Sequence, residues 1–365
     1  MSLALYRKYR PETFDEVVGQ DHITQTLTNA IEQDSISHAY LFTGPRGTGK
    51  TTTARLLAKA VNCEEKGVEP CNECESCKEI TKGNAVDLIE IDAASHRGID
   101  EIRELREGIK FSPTKSQYKV FIIDESHQLT KAAANALLKT LEEPPEHAIF
   151  ILATTEPQKM IPTIVSRCQR FDFRRLTIPE IKNRLTSITD QEEIDIEDAA
   201  LELIALNAGG SIRDAESILD QVLTFSNTDE KIKADDIKDL LGIVDINLVA
   251  DFVDLLLEEK TAQAIKYVNE LLGKGKDSEE LTKALVDYLR KGLILKVTDA
   301  ESRGESTISG LTDEEFEKLK GQISQLEKEE LSDILEEFSE AQEKMKYASI
   351  PQLPLELAIV DICEE

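Results

Sequence analysis

The chain has 365 residues, 40% hydrophobic and 31% charged, enough for two or three globular domains each with its own core. Its 71 acidic residues against 43 lysines and arginines give a net charge of −28, which excludes a protein that coats nucleic acid through a broadly basic surface and leaves only a localised patch for such contact. No apolar run approaches the ~20 residues that span a bilayer, and the first twenty residues lack the apolar stretch of a secretory signal, so a soluble cytoplasmic protein with no membrane partner is expected.

Up to about residue 178, short apolar runs alternate with helical patterns. The first run, "HAYLFTG", leads into "GPRGTGKT", which fits G-x-x-x-x-G-K-[ST] between a strand and the helix "TTARLLAKAVN". In such a loop, here Gly44, Pro45, Arg46, Gly47, Thr48 and Gly49, the glycines let the backbone N–H groups of every residue but Pro45 wrap phosphates at the positive end of a helix. Lys50 would reach the β- and γ-phosphates, Thr51 would ligate Mg²⁺, and Thr52 follows in the first helical turn.

Next comes a cysteine cluster, Cys63, Cys71, Cys74 and Cys77, spaced C-x7-C-x2-C-x2-C. A ferredoxin-type run would continue with Cys at position 81 and then Pro, where Thr81 and Lys82 stand. Four thiolates in a cytosolic chain suit tetrahedral zinc, with disulfides a distant alternative. Cys168 and Cys363 are expected to be ordinary thiols.

"AVDLIEIDA", "YKVFIIDE", "AIFILATT" and "QRFDF" read as further buried strands, and "AAANALLKTLEE" as a helix stopped by Pro144-Pro145. The pattern is that of a doubly wound parallel α/β sheet. Asp124 ends a strand where a carboxylate emerges beside the loop and would hold Mg²⁺; Glu125 would polarise an attacking water. His127 reads as a structural residue at a helix start. From residue 179 to 242 three or four short helices are expected, punctuated by Gly209-Gly210, and from 243 to 365 longer amphipathic ones: "LVADFVDLLLEE", "TAQAIKYVNELLG", "SEELTKALVDYLRKGLILKV" and two more, with "TDAESRGESTISG" as a loop.

Together these residues resemble the AAA+ ATPases of sliding-clamp loaders, the gamma/tau family of the bacterial DNA polymerase III holoenzyme in particular. "YRKYRPETFDEVVGQDHI", "GPRGTGKT", "IDAAS", "DESH", "NALLKTLEEPP", "LATTEPQK", "SRC" and "GGSIRDA" follow in that family's order. The resemblance implies an α/β AAA+ domain over 1–178 with a zinc module at 63–77, a helical lid over 179–242 and an all-α collar over 243–365. Arg10, Pro11, Val17 and Val18 would line an adenine pocket. Thr155 would be a sensor of the γ-phosphate, Arg167 an arginine finger reaching a neighbouring subunit's ATP, and Arg213 a second sensor carried by the lid. ATP, Mg²⁺ and Zn²⁺ are the implied cofactors. Implied partners are further gamma/tau copies, delta and delta-prime in a pentamer, the beta sliding clamp and primer-template DNA. DNA would be held in an inner channel, with Arg97, Lys131, Lys139 and Lys159 as candidates that read equally well as solvated charges. Longer family members continue into segments that bind helicase and polymerase, and none is expected within these residues, nor is polymerase chemistry.

Three rivals make different demands. A helicase would need a second RecA-like sheet, which the helical second half does not offer. A P-loop kinase would lack the "SRC" and "GGSIRDA" arginines. A non-hydrolysing adaptor would have lost Lys50, Thr51, Asp124 or Glu125.

Overall fold

The protein is described by a computed structural model that covers residues 4–65, 67–95, 108–109, 111–225, 231–242, 244–298 and 311–364. The chain divides into two compact units, residues 1–234 and 235–365.

The first unit is built on a parallel sheet of five strands among the described residues: β1 (Ala39–Thr43), β2 (Leu88–Asp92), β3 (Lys119–Asp124), β4 (Ala148–Thr154) and β5 (Gln169–Asp172). Their order is β2-β3-β4-β1-β5. All residues of β1 and β4 are buried, as expected of central strands covered on both faces. Alternation sends Tyr40 and Phe42 to one face, against Leu56 and Leu57 of α3 (Lys50–Val61) and Ile23 and Leu27 of α2 (Asp21–Glu32), the helix that follows α1 (Leu5–Lys8). Ala39 and Leu41 meet the other face. There Leu137 and Leu141 of the helix Lys131–Glu142 close the core, and Phe121 stacks on Phe150 with ring centroids 5.2 Å apart. Register pairs Thr43 with Thr154 and Asp92 with Asp124, so the carboxyl ends of the strands form one edge.

Between β1 and α3 the chain turns sharply. Gly44 has φ +142°, and a Cβ there would lie 2.3 Å from the Phe173 carbonyl oxygen. Gly47 has φ +72°, and a Cβ there would meet Ser211 Oγ at 1.9 Å. Only glycine satisfies both constraints. After β5, the helices Ile178–Gln191, Asp198–Asn207 and Ile212–Phe225 form a helical layer. The first is opened by a capping box in which Thr177 N donates to Glu180 Oε2 at 2.8 Å. Ile212 N donates to Gly47 O at 3.1 Å and ties this layer to the phosphate loop.

The regular structure of the second unit is all helix among the described residues. Ala234–Leu241 overlaps its start, and Ile246–Leu257, Thr261–Gly273, Ser278–Thr298, Asp313–Ile323, Lys328–Met345 and Leu353–Glu364 follow. Phe252, Tyr288, Leu319, Phe338 and Leu355 are central to the core. Buried Gln322 is fully bonded: Tyr288 OH donates to its Oε1 at 2.7 Å, and its Nε2 donates to Ala250 O at 2.8 Å and Asp254 Oδ1 at 2.6 Å. The sequence expectation of two helices after Thr298 is corrected to three among the described residues. The extra one, Leu353–Glu364, carries Pro354 in its first turn, where a missing N–H costs nothing, and is too uniformly apolar to show a clear amphipathic stripe. Most of "TDAESRGESTISG" lies outside the described residues. No described helix is long and apolar enough to cross a membrane.

Candidate nucleotide site and cysteine cluster

The phosphate loop wraps the N-terminus of α3 at the carboxyl edge of the sheet. Arg46, Gly47, Thr48, Gly49, Lys50, Thr51 and Thr52 all line one cavity there. Gly44 and Pro45 do not; their carbonyls accept hydrogen bonds from Lys50 Nζ at 2.8 and 2.7 Å. The ammonium is buried, which lowers its pKa, and the nearby Glu125 and Asp124 carboxylates oppose that shift.

The two carboxylates sit where β3 ends. Thr51 Oγ1 donates to Asp124 Oδ2 at 2.7 Å, and Glu125 N donates to Asp124 Oδ1 at 2.9 Å. Glu125 adopts φ +47°, a left-handed conformation rare for a side chain of its size. That turn aims its carboxylate back across the sheet edge, where Thr155 Oγ1 donates to Glu125 Oε2 at 3.0 Å. Thr51, Asp124, Glu125 and Thr155 thus form one hydrogen-bonded chain drawn from three elements. His127 is buried behind it, with Nδ1 2.9 Å from Thr154 Oγ1.

The opposite wall comes from the N-terminal arm and the helical layer. Arg10, Pro11, Val17 and Val18 line the cavity, as does Arg213, whose guanidinium lies 4.9 Å from the Tyr6 ring centroid. Sequence reasoning missed Tyr6, Leu176, Arg184, Ile212 and Glu216 in this wall. Arg184 and Glu216 form a mostly buried pair, Nε to Oε1 3.6 Å, and Arg184 Nη2 also donates to the Tyr9 carbonyl. Burial pushes the Glu216 carboxyl up to about 7, against the pull of Arg184. On a helix each would read as a solvated charge, so no local signal marked them.

Other sequence candidates lie elsewhere. Arg167 does not line the cavity; it pairs with Glu142 at 2.7 Å and donates to Thr163 O at 2.7 Å. Lys131 and Lys139 are exposed, and Lys159 is paired with Glu156 at 2.6 Å. Arg97 lies outside the described residues.

The sulfurs of Cys63, Cys71, Cys74 and Cys77 all lie within 4.8 Å of one another. A tetrahedral zinc with Zn–S bonds near 2.3 Å needs sulfurs about 3.8 Å apart, so the cluster fits with slight contraction. Backbone N–H groups already face the sulfurs: Cys71 N to Cys63 Sγ at 3.4 Å, Cys74 N to Cys71 Sγ at 3.3 Å, and Cys77 N to Cys74 Sγ at 3.4 Å. Such donors favour thiolate; those of Cys74 and Glu73 bring Cys71 down to about 7. Burial raises the Cys63 and Cys77 thiols. The module docks on the N-terminal arm, with Phe14 N donating to Glu69 Oε2 at 2.8 Å and Asn72 Nδ2 to Glu12 O at 3.1 Å. Cys168 stands apart, its thiol pushed up to about 12 by burial.

Three family models match the chain in succession: DNA polymerase III, delta subunit, over residues 19–177; DNA polymerase III clamp loader subunit, ATPase lid domain, over 180–228; and DNA polymerase III subunits gamma and tau domain III, over 232–365. DNA polymerase III subunit tau of Bacillus subtilis is 48% identical over 362 residues, 99% of this chain and 63% of that one. The gamma/tau subunit of Mycobacterium tuberculosis is 40% identical over 359 residues, 97% of this chain and 61% of that one. The chain therefore spans a little over three fifths of the length of these relatives. DNA polymerase III subunit gamma of Buchnera aphidicola is 41% identical over 288 residues, which make up 78% of each chain. With its sheet, helical layer and all-helical second unit matched in that order, the chain belongs to the gamma/tau family of DNA polymerase III clamp-loader subunits.

Proposed function

We propose that the chain is the ATPase motor subunit of a replicative clamp loader, which uses ATP binding and hydrolysis to open a ring-shaped clamp and leave it on primed DNA. The observation that carries this reading is the hydrogen-bonded chain from Thr51 through Asp124 and Glu125 to Thr155. It brings to one edge the hydroxyl and carboxylate that would bind a cation, the carboxylate that would act as general base and the hydroxyl that would sense the γ-phosphate. In the reading, phosphates replace the Gly44 and Pro45 carbonyls as partners of Lys50, and the loop N–H groups from Arg46 to Thr52 cradle the rest. Thr51 and Asp124 would hold Mg²⁺, which when bound offsets charge on the phosphate oxygens. Glu125 takes the proton of the attacking water while Thr155 holds its carboxylate in register. Arg10, Pro11, Val17 and Val18 enclose the adenine, and Arg213 carries the lid, 179–242, onto the triphosphate. Arg167 would serve a neighbouring subunit. The collar, 243–365, would join gamma/tau copies with delta and delta-prime in a pentamer that grips the beta clamp.

The direct test is loading of a labelled beta clamp onto primed circular DNA by the assembled complex. Stable loading with ATP, and clamp opening without release when ATPγS replaces it, is the expected result. Clamp retention that ignores nucleotide would overturn the reading. In the same assay, alanine at Lys131, Lys139 and Lys159 is expected to lower DNA-stimulated turnover and flatten its salt dependence; an unchanged response would discard those contacts.

Cys63, Cys71, Cys74 and Cys77 would hold a structural zinc with no open position, and hence no catalytic role. Protein purified without added metal is expected to release one zinc per chain to a strong chelator, with four thiols newly reactive toward a thiol reagent. Metal binding of this kind adds directly to folding free energy, so thermal unfolding should move to lower temperature. Release of no zinc, with the four thiols already reactive, would sink the assignment.

A further inference from the structure

A second cavity of ≈ 520 Å³ opens between the N-terminal arm, the outer face of α3 and the end of the helix Glu75–Lys82. Its described walls carry six cations, Arg7, Lys8, Arg10, Arg55, Lys59 and Lys82, against one acid, Glu12. In a chain with 71 acidic and 43 basic residues this is a concentrated reversal of sign. Two of the cations are already paired: Arg55 makes a bidentate contact with Glu90 at 2.6 and 2.5 Å, and Lys8 meets Glu192 at 2.5 Å. Lys59 is different. It is 4% exposed and has no ion pair or side-chain hydrogen bond among the described residues. Its stem is buried, and its ammonium is left at the cavity wall without a counter-charge among the described residues. Arg10 likewise has no ion pair or hydrogen bond from its side chain among the described residues; burial, then the like charge of Arg55, pushes its pKa down. Pro11, Leu56 and Ile80 give the same cavity an apolar floor.

This cavity cannot serve the triphosphate of the first site. Lys59 lies eight residues beyond Thr51 on α3, about 12 Å along the axis at 1.5 Å per residue. A cavity of this size, with clustered cations beside an apolar floor, suits a small organic phosphate. We propose that it is a second anion site, binding a phosphorylated ligand of nucleotide size with its phosphates on Arg7, Lys59 and Lys82 and its apolar part on Leu56 and Ile80; Arg10, Pro11 and Thr52 line both cavities and are left to the first.

The test uses the full chain with the first site saturated by Mg-ATPγS, and inorganic tripolyphosphate as the probe in calorimetry. One further binding event per chain is expected. The double substitution Lys59→Met and Lys82→Ala should weaken it at least tenfold, while ATPγS affinity stays within twofold, since neither residue lines the first cavity. Methionine keeps the buried stem of Lys59 filled; Lys82→Ala alone, at an exposed position, should weaken the event about threefold should the double variant fold poorly. Absence of the event, or an event indifferent to both substitutions, overturns the proposal. A Lys59-dependent response to a dT12 oligonucleotide with none to tripolyphosphate would assign the cleft to a nucleic-acid strand and overturn it too. Failure of ATPγS to bind would fall on the phosphate-loop reading instead, and the Lys59 dependence of the tripolyphosphate event would still be read.

Discussion

Arg167→Ala is expected to lower ATP turnover by the assembled oligomer roughly 10³-fold or more, with ATP binding to each chain nearly unchanged. An arginine supplied across an interface contributes ~10³–10⁵ in rate, or about 4–7 kcal/mol of barrier. The side chain does not line the cavity of its own chain, so an effect on turnover is expected at a neighbour's site. Its present partner, Glu142, is half exposed, and an ion pair of that kind is worth about 0–1 kcal/mol. The variant should therefore stay folded, and exchanging Glu142 for a neighbour's phosphate should cost little. Mixing Arg167→Ala chains with Lys50→Ala chains supplies the control: some turnover should return wherever an intact loop faces an intact arginine. Purified Arg167→Ala complexes that hydrolyse ATP normally would remove the interface from the mechanism.

Glu125→Gln should separate binding from chemistry. The amide cannot take a proton, and loss of a positioned general base lowers rate by ~10²–10⁴. Thr51, Asp124 and Lys50 are untouched, so ATP affinity should remain within a few fold and the ATP-bound form should accumulate. Lys50→Ala gives the contrasting result, with binding itself lost. The Glu125 conformation sharpens the expectation. At φ +47° the carboxylate is held by Thr155, so Thr155→Val should also slow turnover, by less than Glu125→Gln. Single-turnover kinetics on the assembled complex would distinguish these cases; an unimpaired chemical step in Glu125→Gln would transfer the base to another group.

Much of this candidate site is legible in the amino-acid sequence. "GPRGTGKT" between an apolar strand and a helix declares a phosphate loop because few other uses explain three glycines with a lysine and a threonine at that spacing. Asp124 was legible as the polar end of "VFIID", and the cysteines by count and spacing. The far wall was not. Arg184 and Glu216 lie 32 residues apart on separate helices, and nothing local distinguishes them from surface charges until packing buries both. The basic cleft was hidden for the same reason: Arg7, Arg10, Lys59 and Lys82 are scattered over 76 positions of an acidic chain.

What the chain dictates by itself is local and periodic. Continuous apolar runs make central strands, glycines of positive φ make the loop, and prolines and caps set helix ends, since each depends on neighbours within a few residues. What only the tertiary structure decided is which distant charges meet and which of them lose their water. Ion pairing, desolvation and cavity walls depend on separations through space, and chain topology brings residues from α1, α3 and the helix Ile212–Phe225 around one cavity.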